Sequence, residues 1–150
     1  MATAAAFELG TDGPVKFVVG VDGSDTSWRA LYYAFGLARR QDASLLAVFA
    51  VATPIAVGED GTCAGAIEDA NARLAAELKL AIQALATDYG VPTGFITRAG
   101  NPVDALIEVA VEQNADALFV GASRARVHHV LGSKAVRAVR RCHCPVTVVP

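Results

Sequence analysis

The segment from Gly121 to Lys134 carries the residue types best suited to chemistry. A glycine ends an apolar run, arginines follow, and a Gly-Ser pair opens a helical pattern. Glycine lets a backbone approach a phosphate closely, and a helix N-terminus offers N–H groups and a positive dipole end to an anion. Hydroxyl, ammonium and guanidinium groups add direct phosphate contacts. The residues predicted to bind an anion here are Gly121, Ser123, Arg124, Arg126, Gly132, Ser133 and Lys134.

Asp22 follows another short apolar run, Lys16 to Val21. Its carboxylate can accept a hydrogen bond from an adenine amino group or a ribose hydroxyl. Asp22 and Gly23 are also a residue pair that strongly favours a tight turn, so a structural role at the start of a helix stays open. The binding role and the structural role are compatible.

The segment from Gly121 to Lys134 lacks the partner residues that a catalytic role would need. Gly121-Ala-Ser123-Arg-Ala125 has the Gly-x-Ser-x-small form of a hydrolase nucleophile, but that mechanism needs a later acid to orient a histidine. The sequence has no Asp or Glu after Asp116. It also lacks the motifs of P-loop NTPases and of dinucleotide-binding folds, and no carboxylate cluster indicates catalytic magnesium. We therefore predict no catalytic residues.

Cysteine and histidine occur together at His128-His129 and at Cys142-His143-Cys144. Structural zinc sites usually separate paired ligands by about two to four residues, whereas Cys-x-Cys separates them by one. Cysteines are also common as plain core residues. The sequence therefore predicts no metal site.

The chain has 150 residues, of which 53% are hydrophobic and 19% are charged. This length fits one domain, predicted over 15–150 behind a flexible lead-in at 1–14. Three cysteines are too few for a disulfide scaffold and indicate a reducing, cytoplasmic location. No apolar run reaches the roughly 18–20 residues of a membrane span, and residues 1–12 lack the basic start of a signal peptide.

The net charge of −2 conceals an asymmetry. Residues 1–116 have a net charge of −8, whereas residues 117–150 carry six basic residues and no acidic ones. The near-neutral total argues against nucleic-acid binding, which usually needs a basic domain. The basic block can serve one anionic ligand or simply form a solvated helix face. Arg137, Arg140 and Arg141 are expected to face solvent.

Apolar runs alternate with amphipathic segments along the chain. The predicted strands are Lys16–Val21, Ala43–Val51, Thr93–Ala99, Asp116–Gly121 and Pro145–Val149. The predicted helices run from Ser24 or Asp25 to about Arg40, from Ala66 to Tyr89, from Pro102 with Val111 on its apolar face, and from Gly132-Ser133 to about Arg141, with a loop over 52–65. This alternation predicts an α/β fold, a five-stranded parallel sheet with helices on both faces and the strand order 3-2-1-4-5. Ligands bind such sheets where the winding reverses, between the first and fourth strands.

Four segments, taken in their order along the chain, match a known sequence pattern. They are Val18-Val-Gly-Val-Asp-Gly-Ser-Asp25, the strand Asp116 to Gly121, Gly132-Ser133, and Cys144-Pro-Val-Thr-Val-Val149. Together they resemble the universal stress protein (UspA-like) family over residues 15–149. The resemblance implies a five-stranded parallel domain of the adenine nucleotide alpha hydrolase-like type, usually a homodimer paired through the last strand, Val146 to Val149.

One branch of that family binds ATP, with magnesium where ATP carries it, through Gly-x2-Gly-x9-Gly-Ser/Thr. The resemblance assigns adenine and ribose to Val21 and Asp22, the base pocket to Ala50, and the phosphates to Gly121, Gly132 and Ser133. This sequence departs from the motif, because Arg124 replaces the second glycine and the following loop is two residues shorter. Whether Arg124 contacts a phosphate or fills the site stays open. The variant is similar to domains attached to membrane transporters and sensor kinases, some of which sense cyclic dinucleotides.

The sequence thus predicts a non-catalytic cytoplasmic regulatory protein that binds an adenine nucleotide, of the ATP type or a cyclic dinucleotide. Two alternatives stay open, a ligand-free dimerisation module and a slow ATPase. Neither nucleic-acid binding nor direct membrane insertion is expected.

Overall fold

The computed structural model describes residues 15–52, 62–122 and 132–150. Its strands are β1 (Lys16–Gly20), β2 (Ser44–Val51), β3 (Thr93–Ala99), β4 (Ala117–Gly121) and β5 (Val146–Val149). Its helices are α1 (Asp25–Gln41), α2 (Thr62–Tyr89), α3 (Pro102–Glu112) and α4 (Ser133–Arg141). These strands form one sheet in the order β3-β2-β1-β4-β5, which confirms the predicted fold class and strand order. The predicted lead-in at 1–14 lies outside the described residues.

β1 lies at the centre of the sheet, between β2 and β4. Lys16 pairs with Ser44 of β2, and Phe17 pairs with Ala117 of β4, both in parallel register. Val18 is fully buried, as expected for a strand covered on both faces. Because the pairing is parallel, the carboxyl ends of β1 and β4 lie side by side at one edge of the sheet.

The two faces of the sheet carry separate apolar clusters. On one face Phe17 and Phe119 pack edge to face, with ring centroids 5.2 Å apart, beneath Phe35 of α1. On the other face Val18 packs with Leu106 of α3. α1, which follows β1, therefore covers one face of the sheet, and α3 covers the other face.

Two sequence predictions about helices are wrong in detail. α2 begins at Thr62, inside the predicted loop over 52–65. The loop was predicted because residues 52–65 contain a proline and three glycines. The Ala/Leu-rich run that follows favours the helix in spite of Gly65, which costs about 1 kcal/mol in a helix interior. Val111 is 53% exposed, whereas the other residues predicted for the same face of α3, Val103, Leu106, Ile107 and Ala110, are buried. Within the described ranges, none of the helices combines the length and apolarity needed to cross a membrane.

Gly121, the last residue of β4, lies directly against the first turn of α1. A Cβ atom there would lie 2.5 Å from the carbonyl carbon of Thr26 and 2.7 Å from the amide nitrogen of Ser27. Both neighbours are backbone, so a side chain cannot be accommodated by a simple rotamer change. The glycine therefore allows the close approach of α1 to β4.

Gly121→Ala should lower the free energy of unfolding by about 1–3 kcal/mol, because the new methyl group forces α1 away from β4. Urea unfolding measures this change. Gly36→Ala is the matched control, since Gly36 lies within α1 and an added Cβ would meet no atom within 4 Å. That control should leave stability unchanged or raise it by up to about 1 kcal/mol. Equal changes in the free energy of unfolding in the two variants would contradict the requirement for glycine at position 121.

Candidate functional site

A pocket opens where the carboxyl ends of β1 and β4 meet the surrounding helices. This switch-point pocket has a volume of about 270 Å³, just below the roughly 300–1,000 Å³ typical of ligand pockets. Its walls come from the ends of β1, β2 and β4 and from the N-terminal parts of α1, α3 and α4. It lies in the crevice where ligands bind to sheets of this strand order.

The turn after β1 is organised around the carboxylate of Asp22. Its Oδ1 accepts a hydrogen bond from the backbone N–H of Ser24 at 2.9 Å. Ser24 is the N-cap of α1, and its Oγ accepts from the N–H of Ser27 at 3.3 Å. Buried Ser27 in turn donates its hydroxyl to the carbonyl of Ser24 at 3.0 Å. Gly23, with a φ of 82°, makes this tight turn possible.

These contacts keep Asp22 ionised at the pocket. Partial loss of water raises the pKa of the carboxyl, but hydrogen bonds from Ser24 and Ser27 and the charge of Lys134 outweigh it. The pKa of Asp22 is therefore lowered from its ordinary value of 3.8. An ionised carboxylate only accepts hydrogen bonds, so this wall of the pocket is suited to amino or hydroxyl groups of a ligand.

The opposite wall includes the N-terminus of α4. The N-cap is Gly132, which has no side chain to accept a hydrogen bond from the N–H groups of the first turn. Lys134, in that turn, lines the pocket. The positive end of the helix dipole and an ammonium group thus lie on the same side, which favours an anionic ligand group.

α4 is held against α3 by a carboxylate shared between two arginines. Asp104 of α3 accepts hydrogen bonds from Arg137 at 3.0 and 2.9 Å, and Arg141 donates to the same carboxylate. The prediction that Arg137 and Arg141 face solvent agrees with their side-chain exposures of 46% and 51%, and the bonds to Asp104 are an addition that the sequence did not indicate. Their separation of one helical turn brings both to one acid, an arrangement that sequence spacing on α4 alone does not reveal.

Apolar side chains form the remaining walls. Val48 of β2, Val103 and Leu106 of α3, and Ala135 of α4 line the pocket and are all buried. They leave more apolar than polar surface facing the pocket, as is usual where a flat organic ring binds.

The structure brings together five of the ten residues predicted to form the site. The predicted residues that line the switch-point pocket are Val21, Asp22, Ala50, Gly121 and Lys134. Gly132 and Ser133 open α4 beside Lys134 without lining the pocket. Ser123, Arg124 and Arg126 lie outside the described residues.

Sequence reasoning missed the contribution of α1 and α3. The lining residues not assigned to the site from sequence are Gly20, Ser24, Thr26, Ser27, Val48, Pro102, Val103, Leu106, Val120, Ala122, Ala135 and Ala138. The available signal was the fold itself, because each helix that follows a parallel strand begins at the carboxyl edge of the sheet. Asn101-Pro102, a clear helix start, therefore marked a third pocket wall.

The match to known proteins agrees with this geometry. Residues 15–150 match the model of the Universal stress protein family. The chain belongs to the universal stress protein family. A family member from Methanocaldococcus jannaschii is 30% identical over 139 residues, covering 89% of this chain and 81% of that protein.

Solved structures of other universal stress proteins share the fold. UspA from Lactobacillus plantarum superposes with a TM-score of 0.76 at 22% identity, covering 91% of this chain and 97% of that one. A universal stress protein in complex with cAMP superposes with a TM-score of 0.71 at 29% identity, with the same coverages. Family structures from Arabidopsis thaliana and Archaeoglobus fulgidus, each 21% identical to this chain, hold AMP and dAMP respectively.

Ser24→Ala should raise the pKa of Asp22, because it removes a hydroxyl that stabilises the ionised carboxylate. Loss of the N-cap should also lower the free energy of unfolding by about 1 kcal/mol. An NMR titration of the Asp22 carboxyl carbon and urea unfolding measure the two effects.

The sign of the pH effect follows from the lowered pKa. Ionised Asp22 stabilises the fold above the unfolded pKa, and that contribution is lost as pH falls through the folded pKa. Ser24→Ala should therefore lose less stability on acidification than the parent protein. Ser44→Ala, at the amino edge of the sheet, is the control and should leave the titration of Asp22 unchanged. An unchanged titration midpoint in Ser24→Ala would refute the role given to this hydroxyl.

Proposed function

We propose that the chain binds an adenine nucleotide in the switch-point pocket and acts as a regulatory protein rather than an enzyme. The observation that carries this proposal is the arrangement of Asp22 and Lys134 in the lining of one pocket whose other walls are apolar. A nucleotide has the matching pattern of a flat base, donor groups on base and ribose, and an anionic phosphate.

The base and ribose are assigned to the side of the pocket near β1 and β2. Val21 and Ala50 line it with Val48, giving an apolar surface for a purine ring. Asp22 accepts a hydrogen bond from the adenine amino group or from a ribose hydroxyl. Ser24 and Thr26, which also line the pocket, add hydroxyl groups at the same wall.

The phosphate is assigned to the N-terminus of α4. Lys134 supplies positive charge from the pocket lining. The N–H groups after Gly132 and the hydroxyl of Ser133 stay predictions as further donors, since neither residue lines the pocket. Ser123, Arg124 and Arg126 stay predictions as further phosphate contacts, and so does the alternative in which Arg124 fills the site. In this proposal Arg124, Arg126 and Lys134 account for three of the six basic residues after residue 116, whereas Arg137 and Arg141 bond Asp104.

We propose a mononucleotide as the ligand. The relatives that hold cAMP, AMP and dAMP also bind ligands with one phosphate. ATP, with or without magnesium, and a cyclic dinucleotide stay as alternatives. A thermal-shift series compares AMP, cAMP, ATP with magnesium and cyclic di-AMP at one ligand concentration. The ligand with the lowest Kd gives the largest shift, because stabilisation grows with the ratio of ligand concentration to Kd and reaches about 2.7 kcal/mol at a ratio of 100.

The chemistry of the pocket supports binding without catalysis. Of the lining residues within the described ranges, Asp22 is the carboxylate, and its hydrogen bonds hold it as an ionised acceptor in the α1 turn. Phosphoryl transfer instead relies on metal-holding groups and a positioned base or water-orienting residue. Phosphate release from ATP above background, lost in a Lys134 variant, would establish the slow ATPase instead.

Lys134→Ala should weaken AMP binding by about 10- to 100-fold, because a charge-assisted phosphate contact contributes about 1.5–3 kcal/mol. Ala50→Leu should abolish binding by filling the pocket next to β2 while the protein still unfolds cooperatively. Isothermal titration calorimetry measures both.

Lys79→Ala is the matched control, since Lys79 is an exposed lysine of α2 and does not line the pocket. It should bind AMP as the parent protein does. AMP affinity that is the same in Lys134→Ala, Ala50→Leu and Lys79→Ala would refute the site. No binding of any of the four nucleotides by the parent protein would favour the ligand-free dimerisation module.

The edge strand β5 supports the proposed homodimer. β5 pairs with β4 on one side, lies at the end of the sheet, and all four of its residues are half-buried in the isolated chain. An apolar edge strand of this kind is a template for pairing with a second copy. Val148→Lys should therefore convert a dimer to a monomer in size-exclusion chromatography with light scattering. Leu80→Lys, at a residue 70% exposed on α2, should leave the mass unchanged, and a dimer that survives Val148→Lys would refute β5 pairing.

Further aspects of the role stay predictions. The cytoplasmic location follows from the low cysteine content, and attachment to a transporter or sensor kinase follows only from the form of the 121–134 segment. Binding to nucleic acid is not proposed, because the net charge is −2 and three of the four basic residues of α4 line the pocket or bond Asp104.

A further inference from the structure

A second group of ligand-type side chains lies at the other end of α4 from the pocket. Cys142 is the C-cap of α4, and Cys144 lies two residues before β5. One donor atom each from Cys142, His143 and Cys144 lies within 4.8 Å of the others. The two Sγ atoms are 3.4 Å apart. The nucleotide site uses none of these groups.

We propose that Cys142, His143 and Cys144 bind a thiophilic d10 metal ion, Zn²⁺ or Cu⁺, at the junction of α4 and β5. Thiolate and imidazole are the ligands that these ions share. The proposal does not depend on nucleotide binding, because the cluster and the pocket involve different residues at opposite ends of α4.

The local backbone explains how such a short spacing can form a site. The one-residue separation of the cysteines argues against zinc when ligands are expected on a helix or in a zinc-finger turn. Cys142, however, is extended, with φ −73° and ψ 139°. The chain then bends at His143 and Cys144, so the two thiols lie 3.4 Å apart and a nitrogen of the imidazole lies within 4.8 Å of them.

The distances are close to those of a metal site. Sulfurs that each lie about 2.3 Å from a tetrahedral zinc are about 3.8 Å apart. The observed 3.4 Å therefore needs to open by only about 0.4 Å, which small side-chain rotations supply.

Burial places the site at the boundary between core and solvent. Cys144 is 6% exposed and packs in the apolar cluster beneath α3, Cys142 is half-buried, and His143 is exposed. An ion held here has two sheltered sulfurs, with imidazole and a further coordination position on the solvent side. This is the pattern of an exchangeable three-ligand site rather than of a closed structural one. The C-terminal end of α4 also carries the negative end of its dipole, which favours a cation.

Binding is a ligand exchange without electron transfer. The ion loses water, two S–metal bonds and one N–metal bond form, and any protons on the two thiols pass to the solvent. Oxidation of the cysteines to a disulfide would remove the ligands, so the test is carried out on fully reduced protein.

The experiment uses the full chain with Cys63→Ser, which leaves Cys142 and Cys144 as the only thiols. The protein is reduced with a phosphine, freed of metal and titrated with Co²⁺ as a spectroscopic substitute for Zn²⁺. We expect one equivalent to produce a thiolate-to-cobalt charge-transfer band that Zn²⁺ then displaces. Competition with a chromophoric Zn²⁺ chelator and with a Cu⁺ chelator, under anaerobic conditions, determines which ion is held more tightly.

Cys142→Ser and His143→Ala should each weaken Zn²⁺ binding by at least about 10-fold, because each removes a direct ligand. Both side chains are at least partly exposed, and urea unfolding verifies that the variants fold. Absence of the charge-transfer band, or a Zn²⁺ affinity within about twofold of the Cys63→Ser parent in both variants, would overturn the proposal. Metal held elsewhere, for example at His128-His129, would give that second result.

Discussion

The contact between Gly121 and the first turn of α1 is the constraint on which the rest of the site depends. It brings the backbone of Thr26 and Ser27 onto the end of β4, closer than any residue with a side chain would allow. The turn that contains Asp22 is therefore fixed beside the end of the neighbouring strand. The pocket exists because α1 comes in tightly on this face while α3 and α4 pack on the other. Gly121 thus has a packing reason to be glycine, whether or not a phosphate also approaches it.

The second support of the site is the shared carboxylate of Asp104. An isolated surface ion pair contributes little to stability, typically about 0.2–1 kcal/mol. Here one acid bonds two arginines on successive turns of α4, which sets the orientation of that helix relative to α3. Because Lys134 lies on the same helix, its position at the pocket follows from this packing. Part of the basic block thus has a structural role, and part is free to meet a ligand.

Much of the fold could be predicted because the sequence expresses it locally. The apolar strand runs, the Ser24 cap and the Asn101-Pro102 helix start each have a direct physical signal, and right-handed crossovers then favour the observed strand order. The predicted start of α2 was wrong because Gly65 is a loop signal that the long helix overrides. The apolar face predicted for α3 included Val111 in error, because the buried face is centred on Ala105, Leu106, Val109 and Ala110, and Val111 lies outside it.

The site could be predicted only in part, because several of its walls are formed by residues that come together only in the folded structure. Asp22 and Lys134 belong to segments with recognisable chemistry, so their place at the pocket agrees with the sequence. Val48, Val103 and Leu106 are ordinary core residues in the sequence, and only the three-dimensional arrangement gives them a surface on the pocket. The pairing of Arg137 with Asp104 joins residues 33 positions apart, which no local pattern indicates. The same holds for the thiol pair at Cys142, where backbone conformation rather than spacing brings the sulfurs together.

The proposed nucleotide site lies between Asp22 and the N-terminus of α4. The most direct measurement is a backbone amide NMR spectrum recorded during titration with AMP. Binding in the switch-point pocket should give the largest saturable shifts in residues 20–27, 121–122 and 132–136, with little change in 92–94 at the amino edge of the sheet. Shifts centred on the shallow groove at that amino edge, near Lys16 and Thr93, would contradict the account, as would an unchanged spectrum at millimolar AMP.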